Sequence, residues 1–349
     1  MSNKTQQEKD LHASVQKRTA ILVAACVALC GVSFAGGWFA QEAASVVPVS
    51  KALRLSNNRY QYIDPLLACN INTASPAQED NDLAGKIQTA ITKHIKEGDI
   101  SKASVFFADI TTGKWVDVNP TEKYYPSSLG KIPIMMAYYQ YAETHPDALD
   151  QKILYPAGGE DRNAQQDITP EKAVVPGNTY TIRDLIGYMI KYSDNNAANL
   201  LYTHIDQDLL NSVYGDLNIP TDENPNVDNL DFITPHQIAT MFRVLYNATY
   251  LTRPDSEAAL DLLTQSSFTQ GLPAGLPAGT PVAHKLGLVG IAPNNVTTEH
   301  ELHDCGIVYA NNTYHLCIMT RGAGSLTQLE GVVADLSKIV YDKVQENGK

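Results

Sequence analysis

Apolar side chains recur along this chain in patterns that predict distinct elements. Leu83, Ile87, Ile91 and Ile95 return every four residues, the spacing of an amphipathic helix with one apolar face turned inward. Asp80 to Asp82 precede it, supply its cap and suit its dipole. Residues 104–110 and 114–119 are apolar, β-rich runs joined around Thr112 and Gly113, which predicts a hairpin. A buried helix follows over 132–141, with further helices over 182–190, 197–205, 235–246 and 256–264. Thr234 stands at the cap of the fourth of these five and Pro235 at its first position. Strands are expected over 283–288, 306–309 and 315–320, the last two as a hairpin across Asn311 and Asn312. Leu329, Val332, Val333, Leu336, Val340 and Val344 mark a closing helix over 326–344. The order helix, strands, many helices, strands, helix implies an α+β fold with two lobes. An antiparallel sheet is flanked by the terminal helices, and an all-helical lobe is inserted into it.

Residues 19–40 break this pattern. They carry no charged side chain and follow directly on Lys17 and Arg18. A helix of that length spans about 33 Å, enough to cross a hydrocarbon core. Trp38 and Phe39 sit where an interfacial aromatic belt would be, and the basic pair places the N-terminus inside. The run reads as a transmembrane helix. A cleavable signal ending at Ser33, Phe34 and Ala35 is the alternative, and Val23 to Cys26 faintly resembles a lipobox. Every version exports the rest of the chain. The expected organisation is a cytoplasmic tail over 1–18, an anchor or signal over 19–40, a stalk over 41–80 with a short strand near 60–67, and a folded domain over 81–349. The folded domain is expected to be extracytoplasmic, held at the membrane through residues 19–40 or secreted after cleavage.

Composition narrows the function. The chain has 349 residues, 44% of them hydrophobic, and a net charge of −12. That apolar fraction excludes a disordered chain. The acidic balance argues against a nucleic-acid partner, which needs a basic face to meet phosphates. Residues 1–40 hold four basic and two acidic side chains, so the exported part carries −14. Charge therefore does not hold it to an anionic membrane surface. A monomer is expected. Cys26 and Cys30 lie in the apolar run; Cys69, Cys305 and Cys317 lie where disulfides are permitted. Three cysteines allow one bridge, either Cys305 to Cys317 across the hairpin or Cys69 to one of those strands. No pair has CxxC spacing, and neither a metal nor a cofactor is expected.

Three short motifs carry chemistry. Ser128 and Lys131 stand three apart at a helix start, so their side chains share a face. A serine hydroxyl needs a neighbour to take its proton, and a lysine whose amine is kept neutral by burial and nearby positive charge can do so. The helix N-terminus favours the oxyanion that forms. Ser193, Asp194 and Asn195 lie between two helices, where all three residues also favour a capping turn. His284, Lys285, Leu286 and Gly287 lie on an expected strand.

In this order S-x-x-K, S-D-N and K-x-G resemble the signature of the penicillin-recognising serine acyl-transferases, and from about residue 80 to the C-terminus the chain resembles the class A β-lactamase superfamily. The likeness extends through Asn196 to Leu201, through Asp231, Phe232, Ile233, Thr234 and Pro235, and through Asp304 to Tyr309. The resemblance implies a serine hydrolase acting on β-lactams or cell-wall-like peptides. Ser128 would be the nucleophile and Lys131 the acylation base. Ser193 would relay a proton to the leaving nitrogen, and Lys285 would raise the positive potential and attract a substrate carboxylate. Asn195 would orient the substrate amide. The backbone N–H groups of Ser128 and Leu288, the latter just past Gly287, would form the oxyanion hole. Asp194 would hold the S-D-N turn.

Two departures stand out. Leu286 replaces the hydroxyl residue of K-T-G or K-S-G, which removes a hydrogen bond to substrate carboxylate worth about 1.5–3 kcal/mol. No E-x-x-L-N segment precedes Asp231, and Glu223 is the nearest candidate for a deacylating base. Without such a base the acyl-enzyme would persist, as in a D-Ala-D-Ala carboxypeptidase or transpeptidase. A non-catalytic envelope module on the same fold is the third reading. His300, Glu301 and His303 form a His-rich cluster without H-E-x-x-H spacing and are expected in a polar turn before a strand.

Overall fold

The computed structural model describes residues 51–54, 60–70, 78–164, 166–220, 231–292 and 296–347. In chain order the elements are β1 (Lys51–Arg54), β2 (Leu66–Asn70), α1 (Asn81–Glu97), β3 (Lys102–Asp109) and β4 (Trp115–Val118). The helical lobe brings α2 (Lys131–Thr144), β5 (Lys152–Leu154), β6 (Thr179–Thr181), α3 (Ile182–Lys191), α4 (Asn195–His204), α5 (Gln207–Asp216), α6 (Pro235–Tyr246) and α7 (Arg253–Thr264). The chain then returns to the sheet with β7 (Val282–Ile291), β8 (Glu299–Tyr309), β9 (Thr313–Gly322) and α8 (Leu326–Asn347).

Local signals set these boundaries. The Asp80 side chain accepts from the Leu83 N–H at the start of α1, and Thr234 caps α6 with Pro235 in its first turn. Gly113 turns the β3–β4 hairpin with φ +73°, a conformation that suits a residue without Cβ. Leu83, Ile87 and Ile91 are buried, but Ile95 is exposed and His94 takes the inward place. A spacing of four overshoots the helical repeat of 3.6, so three such steps carry Ile95 off the buried face.

Five strands form one antiparallel sheet in the order β4-β3-β9-β8-β7, which leaves β7 at an edge. Its two faces pack differently because strand side chains alternate. Leu316 and Ile318 of β9 pack with Leu83 and Ile87 of α1 and with Leu329 and Val333 of α8. Cys317 and Met319, one step over, belong to the other core with Ile132 of α2 and Phe242 of α6. Cys305 and Cys317 are opposite one another in the β8–β9 register and are joined by a disulfide.

Several elements differ from expectation. Residues 51–54, expected in a stalk, pair with 66–70 as a two-stranded ribbon. The strand expected near 60–67 begins only at Leu66, and the residues before it are tied to the helical lobe. The Glu257 carboxylate accepts from the N–H groups of Gln61, Tyr62 and Ile63. Helix α5 and the β5–β6 ribbon were not expected. For α5 the signal exists in Asp206 before Leu210 and Val213, which are buried on one face. The apolar run over 19–40 lies outside the described residues; among those described, no helix is long and apolar enough to cross a membrane.

Candidate active site

Ser128 lies in a short 3-10 turn, Ser127–Gly130, that runs directly into α2 at Lys131. Leu129 is wholly buried and roots the turn. The segment before it is gripped by its backbone. Tyr124 N–H donates to the Ile233 carbonyl at 3.0 Å. Tyr125 N–H donates to Glu301 Oε2 at 2.9 Å, and His303 Nε2–H donates to the Tyr125 carbonyl at 3.1 Å. Glu301 is also ion-paired with Arg321, which bonds Asp231 at 2.8 Å. Burial pushes the Glu301 carboxyl up, but the hydrogen bond and charge of His303, the Tyr125 N–H and Arg321 outweigh it and hold it below its ordinary value.

Edge strand β7 lies against this turn. A Cβ on Gly287 would stand 3.0 Å from the Pro126 carbonyl and 3.2 Å from the Leu129 side chain, so glycine permits the approach. The Ser127 hydroxyl donates to the Leu288 carbonyl at 2.5 Å, so that carbonyl points away from β8. The N–H and C=O of one strand residue face the same side. Leu288 N–H therefore turns away from β8 as well, to the side of the Ser127–Gly130 turn.

Three side chains converge on Ser193 Oγ. It lies 3.0 Å from Ser128 Oγ, 3.1 Å from Lys131 Nζ and 2.9 Å from Lys285 Nζ. Lys131 Nζ also donates to the Ser193 carbonyl at 2.6 Å and to Asn195 Oδ1 at 2.7 Å. Both lysines are almost fully buried. Burial and the neighbouring Lys285 charge drive the Lys131 amine well below its usual value, against a weaker pull from Asp194. Burial pulls Lys285 down to about 7, opposed by Asp304. Ser193 holds this junction with φ +56°, a left-handed conformation that costs a non-glycine residue about 1–3 kcal/mol.

The surrounding turn is over-determined by hydrogen bonds. Buried Asp194 caps α4 through Asn196 N–H at 2.8 Å and accepts from Val174 N–H at 2.7 Å and Asn163 Nδ2 at 2.8 Å. Asn163 Oδ1 in turn accepts from Asn195 N–H at 2.8 Å. The loop between β5 and β6 is thereby fastened to the S-D-N turn, in the structural part expected for Asp194. Asp304 accepts from Leu272 N–H at 2.8 Å and pairs with His284 Nδ1 at 2.7 Å, beneath Lys285.

Ser128, Lys131, Ser193, Asn195, Lys285 and Leu288 line one cleft of about 860 Å³, and Gly287 packs beneath its floor. Leu286, Ile168 and Phe268 also line it. Glu223 lies outside the described residues. His300, Glu301 and His303 are not in a turn: all three sit on β8, with Glu301 and His303 wholly buried, because a strand can turn its polar side chains into an enclosed network. Sequence reading missed Asn163, Asn196, Glu301 and His303. Only the last pair carried a signal, the i, i+2 spacing that places two residues on one strand face.

Comparison with known proteins bears on the family and the fold. The model of the family described as "Beta-lactamase enzyme family" matches residues 83–344. Among solved structures the chain is similar to PBP-A, at 19% identity over 78% of this chain and 100% of that chain, with a TM-score of 0.63. It is similar to a β-lactamase from Sphaerobacter thermophilus, at 18% identity over 75% and 97% of the two chains and a TM-score of 0.62. A representative of class A β-lactamase from Bacteroides cellulosilyticus gives 19%, 76%, 99% and 0.63 in the same order. A PBP-A mutant in acyl-enzyme complex with penicillin G gives 19%, 78%, 99% and 0.62. At such identities the structures share the fold. No curated protein matches the chain.

Proposed function

Because the chain belongs to the β-lactamase enzyme family, a family of serine hydrolases, we propose that Ser128 is acylated by β-lactams or cell-wall-like peptides and that water then releases the acyl group. The observation that carries this reading is the junction at Ser193 Oγ, within 3.1 Å of the nucleophile and of both lysines. Neutral Lys131 takes the Ser128 proton through the Ser193 hydroxyl while Ser128 Oγ attacks the carbonyl. The N–H groups of Ser128 and Leu288 receive the oxyanion. Ser193 then returns a proton to the leaving nitrogen, and protonated Lys285 holds the local potential positive. Asn195 orients the substrate. The reading further places this domain outside the cytoplasm as a monomer, anchored or exported by residues 19–40.

The test is covalent labelling. The folded chain incubated with a labelled penicillin at high concentration should gain one adduct at Ser128, lost in Ser128→Ala. A folded protein that gains none would reject the reading. The missing E-x-x-L-N segment favours a second version, a carboxypeptidase or transpeptidase. An acyl-enzyme lifetime of seconds or less supports the lactamase, whereas hours support the peptidase. Peptide binding that survives Ser128→Ala, with no turnover in either protein, would leave a non-catalytic envelope module.

A further inference from the structure

Among the described residues, the cleft beside Lys285 is lined by a single arginine, Arg162, and that one is paired with a carboxylate. Leu286 stands between Lys285 and Gly287, is only 5% exposed, and joins Phe268 in the buried cluster beneath the sheet. Ile168 and Leu288 pack against that same cluster, and all four line the cleft together with Val289. The nearby cations have other partners or acidic neighbours. Lys285 Nζ donates to Ser193 Oγ and, at 3.4 Å, to the Leu286 carbonyl. The Arg321 guanidinium, two strands further in on β9, is held by Asp231 and Glu301 behind Tyr125. Arg162 lies at the rim and is paired with Glu160 at 3.0 Å. Lys191 also lines the cleft, but so do Asp167 and Glu171, which offset it. A free carboxylate lodged against Leu286 would lose water and gain from that position an apolar side chain where a serine or threonine would donate a hydroxyl.

We propose that the Leu286 end of the cleft is an apolar subsite, and that the acyl donors of this protein are uncharged there: esters, capped amides or internal peptide bonds rather than donors ending in a free carboxylate. The inference rests on the reading of Ser128 as nucleophile and names its substrate class. The bond from Ser128 Oγ to the acyl carbon forms as the bond from that carbon to the leaving nitrogen, oxygen or sulfur breaks. The serine proton passes through Ser193 to Lys131, and the leaving atom takes one back from Ser193. Among β-lactams, neutral monocyclic ones should acylate faster than penicillins.

A matched pair of thioesters tests this on the full chain. Both carry the same N-acyl-D-alanyl group; one thiol leaving group ends in a free carboxylate and the other is capped as its methyl ester. Thiol release gives kcat/KM for each, corrected for spontaneous hydrolysis, and mass spectrometry locates the acyl group. The capped ester should be favoured at least tenfold, and Leu286→Thr should move the ratio at least tenfold toward the free carboxylate. A wild-type preference for the free carboxylate overturns the subsite, as does an unmoved ratio in Leu286→Thr that still turns over the capped ester. If neither thioester labels Ser128 in the folded chain, the nucleophile reading falls and the subsite with it.

Discussion

Lys131 meets three partners, and they differ in what they offer. The Ser193 carbonyl and Asn195 Oδ1 only accept, whereas Ser193 Oγ also donates. A protonated amine fits all three with its three hydrogens. Once neutral, it must turn its lone pair to the sole donor, Ser193 Oγ, whose own lone pairs then face Ser128 at 3.0 Å. The amide of Asn195 therefore aims the base. Lys131→Arg keeps the charge and cannot give up a proton at working pH, so acylation should fall about 10²–10⁴-fold, read as the rate of adduct formation. Lys285 has a different signature. Its amine is pulled down to about 7 in the folded protein and returns to the ordinary lysine value on unfolding. Between those values the unfolded state binds more protons, so stability rises with pH. Below about pH 7 both states are protonated and the burial penalty is fully present. From pH 7 to 10 the wild type should therefore gain on Lys285→Met by up to about 1.4 kcal/mol per pH unit in denaturant melts. An equal response of the two proteins would refute the shift.

At the scale of elements, the catalytic turn depends on β8. Glu301 and His303 hold the N–H and C=O of Tyr125, three residues before the nucleophile. Glu301→Gln keeps the shape and weakens a charge-assisted grip, and should cost about 1–3 kcal/mol in melts. It should also slow acylation at saturating donor while leaving the capped-to-free thioester preference unchanged, since Leu286 is untouched. This network explains what was legible beforehand. Helices α1, α6 and α8 could be read from periodicity because each buries one face, and α2 from an unbroken apolar run whose residues 132–139 are all buried. Ser128, Lys131, Ser193 and Lys285 could be read because their order along the chain is itself a pattern. The buried polar clamps were opaque: a His-Glu-Leu-His run looks like a solvated turn until the strands on either side enclose it. Asn163 was opaque for the same reason. Its bonds to Asp194 and Asn195 span about thirty residues and leave no local trace.

For the whole molecule, the two cores divide the work. The cluster under α1 and α8 holds the sheet rigid, and the cluster of the helical lobe carries the turn that supplies Ser193. The seam between them is where all the chemistry gathers, and the sheet's contribution comes through β7, an edge strand backed by β8 and β9. The disulfide braces that backing. Replacing Cys305 and Cys317 together by alanine should lower stability by about 2–4 kcal/mol, seen as a lower melting temperature under oxidising conditions. The same bridge also orders events in time. Its cysteines are 12 residues apart, whereas Cys69 lies 236 residues before Cys305. Closing the longer loop costs about 3 kcal/mol more chain entropy, so a newly made chain meets the hairpin thiols together first. Oxidation is thus kinetically partitioned by one local turn at Asn311 and Asn312, and the strand behind Lys285 is joined to its neighbour by a short-range step.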